Sequence, residues 1–165
     1  MSTADTVQNS GNLFSMQDTE HEDWIVTRAM EIVERRVFLG GPPLQSPTAV
    51  KDFLRIKLAG QPNEVFAVLF LDSQFRVIAY DELFKGTVNQ TSVYPRVVLS
   101  EAMKHNASAI VFAHNHPSGL TEPSNNDKVI TSKLKTILNE VDVRVLDHIV
   151  VGQGEPYSFA EKGLL

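Results

Sequence analysis

The stretch Val65-Phe66-Ala67-Val68-Leu69-Phe70-Leu71 is apolar at every position. Its length is that of a β-strand, and its continuous rather than alternating apolar character predicts a strand covered on both faces. Asp72-Ser73-Gln74 then reads as a turn, and Phe75-Arg76-Val77-Ile78-Ala79-Tyr80 as the hairpin partner. Further on, Pro95 opens a helix through Val97, Val98, Ala102 and Met103. Ser108-Ala109-Ile110-Val111-Phe112-Ala113 is a second buried strand. A polar loop leads to a helix over 124–140. Val143-Arg144-Val145-Leu146 and His148-Ile149-Val150-Val151 form the last strand. Upstream, Ser46-Pro47 reads as an N-cap followed by a first-turn proline. The helix it starts buries Val50, Phe53, Leu54 and Leu58 and stops at Gly60 as C′ residue. An earlier helix begins at Asp23, carries Trp24, Ile25, Met30, Ile32, Val33 and Val37, and ends at Gly40-Gly41-Pro42-Pro43. The order helix, helix, strand, strand, helix, strand, helix, strand predicts an α/β fold, a mixed β-sheet with flanking helices.

Composition sets the outer limits. The 165 residues are 42% hydrophobic and 21% charged, ordinary for one globular domain. No apolar run approaches the roughly 18 residues that span a bilayer, and the start has no signal-peptide pattern. There is no cysteine, which excludes disulfides and thiolate metal sites and fits a cytoplasmic setting. Twenty Asp+Glu oppose fifteen Lys+Arg, for a net charge of −5. Asp5, Asp18, Glu20 and Glu22 supply most of that excess, so residues 1–22 read as a flexible acidic tail. Residues 23–45 are then an N-terminal helix and linker, and 46–165 the main domain. The acidic balance of the whole chain argues against a grip on nucleic-acid phosphates by bulk charge, but the domain without the tail is nearly neutral, which weakens that argument.

The chemistry concentrates in Ala113-His114-Asn115-His116-Pro117-Ser118-Gly119 and, after a short loop, Pro123-Ser124-Asn125-Asn126-Asp127. His114 and His116 are two apart at a strand end. Their side chains therefore share a face, with backbones roughly 6–7 Å apart. Asp127 falls in the first turn of the next helix, close to where the strand ended. Two histidines and one aspartate form a three-ligand set with an open fourth position, the arrangement a catalytic zinc requires. Ser124-x-x-Asp127 is also a helix capping box, and that purely structural reading stands beside the metal one. The letters His114-Asn115-His116 suggest a nuclease motif of the same letters, but that motif is dispersed over a longer stretch and the adjacency is coincidental.

These residues resemble the RadC family (UPF0758-type), a branch of the JAB/JAMM (MPN-plus) metalloproteases. The match is carried by His114-x-His116-Pro117 with Ser124-x-x-Asp127 at the family's spacing. It extends through Glu82-Leu83-Phe84-Lys85-Gly86-Thr87, Tyr94-Pro95-Arg96, Asp147-His148-Ile149 and Ser158-Phe159-Ala160-Glu161-Lys162-Gly163-Leu164-Leu165. It covers roughly residues 46–165. The resemblance implies a three-layer JAB/MPN (cytidine-deaminase-like) architecture, with Zn2+ held by His114, His116 and Asp127. It also implies a catalytic glutamate at the entrance to a buried strand. Glu64, directly before Val65, fits that place, and Glu82 is the rival. Ser124 would then donate a hydrogen bond to the oxyanion of the tetrahedral intermediate. Asp147 and His148 are candidates to support the ligands from a neighbouring strand, the alternative being plain strand packing.

The expected function is therefore metal-assisted hydrolysis of a peptide or isopeptide bond by an activated water. Fuller members of the family carry an N-terminal helix-hairpin-helix DNA-binding module and a DNA-repair label. The segment before the second helix here is too short for that module, so this reads as a short form. Substrates on that reading are peptides or proteins, DNA-associated ones among them. The alternatives are a non-enzymatic repair or recombination accessory, for which Lys51, Arg55 and Lys57 or Lys128, Lys133 and Lys135 would supply basic patches, and a metal-dependent nuclease. An exposed edge strand would serve a homodimer or receive an extended peptide.

Overall fold

The computed structural model describes residues 19–38, 47–86 and 92–165. In chain order the elements are α1 (Thr19–Phe38), α2 (Pro47–Leu58), β1 (Val65–Leu71), β2 (Val77–Lys85), α3 (Pro95–Lys104), β3 (Ala109–Asn115), α4 (Asn125–Asn139), β4 (Arg144–Val151) and β5 (Tyr157–Ser158). They form one five-stranded sheet in the order β2-β1-β3-β4-β5. β1 runs antiparallel to both β2 and β3, β5 antiparallel to β4, and β3 and β4 are parallel. A parallel pair needs a crossover, and α4 provides it.

The apolar run of β1 is buried at all seven positions, and alternation splits it between two cores. On one face Ala67, Leu69 and Leu71 pack with Val111, Ala113 and Ile149 under Val50, Phe53, Leu54 and Leu58 of α2. On the other, Phe66, Val68 and Phe70 pack with Ile110 and Phe112 under Val98 and Ala102 of α3 and Leu134 and Leu138 of α4. Helices thus cover both faces, giving the three-layer α/β architecture expected from the sequence.

Several boundaries differ from the sequence reading. α1 begins at Thr19, inside the stretch assigned to the tail. Glu20, Glu22 and Asp23 favour a helix N-terminus but carry no apolar periodicity that would reveal one. Trp24, Ile25 and Val26 are exposed, so the apolar stripe of α1 is covered only towards its C-terminal half, where Val33 and Phe38 reach the core. β2 starts at Val77 and runs on to Lys85. Phe75 and Arg76 belong to the turn instead: the Asp72 carboxylate accepts from the backbone of Gln74 and Arg76 and from Arg76 Nε at 2.7–2.9 Å. Phe75 takes positive φ there. α2 does not end on a left-handed glycine: Gly60 has ordinary φ, and the last turn closes through Ala59 N–H to Arg55 O and Gln61 N–H to Leu58 O. β5 is too short to show a pattern in sequence. The proposed Ser46 cap, the 40–43 stop and residues 1–18 lie outside the described residues.

The topology brings three things to one end of the sheet: the C-terminal end of β3, the N-terminal end of β1, which pairs with it through Phe66 and His114, and the N-terminus of α4.

Candidate metal centre

His114 is the penultimate residue of β3 and is fully buried; His116 follows just beyond the strand, half-buried. Their Nε2 atoms are 2.9 Å apart. Asp127 brings Oδ1 to 3.5 Å from His114 Nε2 and Oδ2 to 3.6 Å from His116 Nε2. Tetrahedral ligands about 2.0–2.1 Å from a zinc ion stand about 3.3 Å from one another. The three observed edges bracket that value.

Asp127 is placed by the capping box. Ser124 is the N-cap of α4; its Oγ accepts from Asp127 N at 3.1 Å, and Asp127 Oδ2 accepts from Ser124 N at 2.7 Å. The Ser124 hydroxyl also donates to Asp127 Oδ2 at 2.6 Å. The capping and ligand readings of Asp127 therefore coexist. Two donors occupy Oδ2 and leave Oδ1 the less committed oxygen.

The proton positions follow from the hydrogen bonds. Thr131 Oγ1 lies 2.5 Å from the Asp127 carbonyl, which can only accept, so the Thr131 hydroxyl proton points there. Thr131 Oγ1 must then accept from His148 Nδ1, 2.6 Å away. His148 is wholly buried among Phe66, Phe112 and Phe159, and burial holds it well below the ordinary histidine range. It is neutral, so its Nε2 accepts from His114 Nδ1 at 2.8 Å. The His114 Nε2 is left with a bare lone pair. On the other side His116 Nδ1 donates to the Leu120 carbonyl at 2.9 Å, which leaves its Nε2 bare as well.

Two imidazole lone pairs and a carboxylate thus face one point, an arrangement that repels itself unless a cation sits between them. A proton is the smallest such cation. A hydrogen bond with Asp127, and the Asp127 and Glu64 charges, raise His116 above its ordinary value. Burial alone would raise the Asp127 carboxyl, but the neighbouring His114 and His116 outweigh it and hold it far below the carboxylate range. The donor set fits a divalent metal that takes nitrogen and oxygen ligands.

The loop between β3 and α4 rests on the turn after β4. His116 N–H donates to Val151 O and Gln153 N–H to Gly119 O. Gly119 has a φ of 84°, and a Cβ on Gly152 would stand 2.5 Å from Gly119 O, so both positions need glycine.

Glu64 lines the same cleft as His116, Ser124 and Asp127; its walls include Phe66, Leu120, Val129, Ile130 and Lys133, around some 570 Å³. Glu82 does not share it. That side chain lies on β2, in contact with Tyr80 OH and paired with Lys85 at 3.0 Å. Asp147 and His148 part company: His148 backs His114, whereas Asp147 accepts from its neighbour's amide, Ala160 N–H and the Ser158 hydroxyl, tying down the C-terminal segment. Asp147 therefore secures the chain end and makes none of the contacts to the ligands that His148 makes. Thr131 and Asn115 were not singled out from sequence. Thr131 sits in an ordinary helical stripe, and Asn115 reads as a chance letter between histidines.

A second group, Asp81, Glu101 and His105, has ligand atoms close together. His105 Nε2 is hydrogen-bonded to Asp81 at 2.7 Å and Lys104 holds Glu101 at 2.9 Å, so these groups already have partners in one another and in Lys104. Two of the three basic residues of α2 are similarly engaged: Lys51 pairs with Glu161 at 2.8 Å and Lys57 with Glu34 at 2.5 Å. No helix among the described residues is long and apolar enough to cross a membrane.

Residues 44–164 match the model of the RadC-like JAB domain. The chain is 59% identical over 124 residues to a UPF0758 protein of Methylibium petroleiphilum, covering 75% of this chain and 56% of the relative. A UPF0758 protein of Leptothrix cholodnii gives the same figures, 59% over 124 residues with 75% and 56% covered. One of Albidiferax ferrireducens is 53% identical over 137 residues, 83% of this chain and 56% of the relative. The chain spans about half the length of these relatives.

Proposed function

The chain belongs to the RadC-like JAB domain family, one of JAB-type metal-dependent hydrolases, and on that premise we propose that it is a zinc-dependent peptidase or isopeptidase. The observation that carries this reading is the pair of imidazole lone pairs 2.9 Å apart beside Asp127, with Glu64 lining the same cleft. His114, His116 and Asp127 would hold the ion. Bound there, zinc lowers the pKa of a coordinated water from about 15.7 towards 7 and polarises a carbonyl.

The remaining work falls to the protein's own groups. The Glu64 carboxylate accepts a proton from the attacking water and delivers it to the leaving amine. The Ser124 hydroxyl donates to the oxyanion of the tetrahedral intermediate, worth about 10²–10³ in rate. To do so it must turn from Asp127 Oδ2, where it donates now. The apolar wall of Phe66, Leu120, Val129 and Ile130 suits side chains of a polypeptide substrate, in a cytoplasmic setting and with DNA-associated proteins among the candidates.

The test combines metal analysis with hydrolysis of fluorescein-labelled casein. The purified protein should carry near-stoichiometric zinc, lost in His116→Ala and Asp127→Ala. Glu64→Gln should retain zinc and lose hydrolysis. A parent protein that refuses added zinc would overturn the reading.

A further inference from the structure

Asn115 stands between the two ligand histidines but serves a different partner. Its side chain is 3% exposed, and strand alternation turns it to the face opposite His114. Its Oδ1 accepts from Val65 N–H at 2.8 Å. Its Nδ2 donates to the Asn63 carbonyl at 3.1 Å and lies 3.4 Å from the Gln61 carbonyl. These bonds bracket one residue: Asn63 contributes the carbonyl before Glu64, and Val65 the amide after it. Beyond Phe66 and His114 the main-chain pairing of β1 with β3 gives out, and the Asn115 amide continues the ladder with one donor and one acceptor, as a peptide group would. On the other flank, the Glu64 carbonyl accepts from Gly86 N–H at 2.8 Å.

We propose that Asn115 is the positioning residue for Glu64: it fixes the backbone on both sides of the base to the segment that carries the metal ligands. The proposal rests on Glu64 as the base. It explains why an amide occupies the position. Aspartate has the same shape but no donor for two carbonyls, and serine or alanine cannot reach across to both neighbours of Glu64.

The experiment uses the zinc-loaded protein and acetohydroxamate, a small zinc chelator whose hydroxyl proton a neighbouring carboxylate accepts. Affinity is measured for the parent, Glu64→Gln, Asn115→Ala and the double variant, with zinc content determined on each. Loss of one charge-assisted hydrogen bond should weaken binding by about 10-fold or more in Glu64→Gln. Asn115→Ala should retain its zinc and approach that loss. The double variant should bind no more weakly than Glu64→Gln alone, because Asn115 acts only through Glu64. If Asn115→Ala does not melt cooperatively, Asn115→Asp takes its place in the same cycle. Parent-like binding by the Asn115 variant, losses that multiply in the double variant, or loss of zinc would each overturn the proposal. Unchanged binding by Glu64→Gln would instead remove Glu64 as the base, and Asn115 with it.

Discussion

Thr131 has one hydroxyl proton, and its direction decides which nitrogen of His114 is bare. The chain from the Asp127 carbonyl through Thr131 and His148 to His114 holds one tautomer. Groups that orient metal-bound histidines typically contribute 10–100-fold in affinity. Thr131→Val keeps the shape and removes the acceptor for His148 Nδ1, so zinc affinity should fall about 10–100-fold in chelator competition; an unchanged affinity would release the chain from any part in metal binding. The pH dependence follows from the two shifted histidines. His116 is raised above 6.5, so a proton must leave before the ion enters, and zinc affinity should fall as pH drops through that raised value. In the metal-free protein the His116 contribution to stability is present below 6.5 and lost as pH rises through the raised value. His148 is lowered, so its contribution is present above 6.5 and lost as pH falls. Denaturant titrations across about pH 5–9, with and without zinc, check both signs. The grouping of His114, His116 and Asp127 was legible in sequence because they lie within residues 114–127 at strand and helix spacing. Thr131 and Asn115 were not, because their partners are backbone groups and a histidine brought in by the fold.

Elements defined by local chemistry were legible in the same way. The α4 start could be read from Ser124-x-x-Asp127 because both halves of a capping box lie within one turn. Ser124→Ala should cost about 1 kcal/mol of stability from the lost cap, measured by denaturant unfolding, besides its effect on rate. The β2 start could not be read, since a carboxylate at Asp72 kept Phe75 and Arg76 in the turn. The loop carrying His116 is supported by a turn that follows the next strand in sequence. Gly152→Ala would drive a Cβ to 2.5 Å from Gly119 O. It should lose about 1–3 kcal/mol and weaken zinc binding, because the displaced loop carries the Leu120 carbonyl that orients His116. Gly60→Ala, with nothing within 4 Å of the new Cβ, is the control and should stay within about 0.5 kcal/mol.

At the scale of the molecule, the layered α/β plan was visible in one uninterrupted apolar run, since a strand buried at every position requires cover on both sides. Which strands end up at the edges was not, because strand order depends on pairings between distant segments. The edges are β2, nine residues long, and β5, only two. Three mutually repelling groups gathered at one point should make the fold depend on their counter-ion. Zinc at a hundredfold excess over its Kd should stabilise the parent by about 2.7 kcal/mol and His116→Ala by far less, read from melting temperature; equal shifts would place the ion elsewhere. The separation of parts along the chain has a consequence of its own. The ligand set closes within one strand–loop–helix unit, whereas the Asn115 bond to Val65 joins positions fifty residues apart. A local opening confined to the start of β1 would break the second closure without touching the first. On the proposed reading, a molecule damaged there would keep its metal while its base lost its place, and would fall silent as a hydrolase before it came apart.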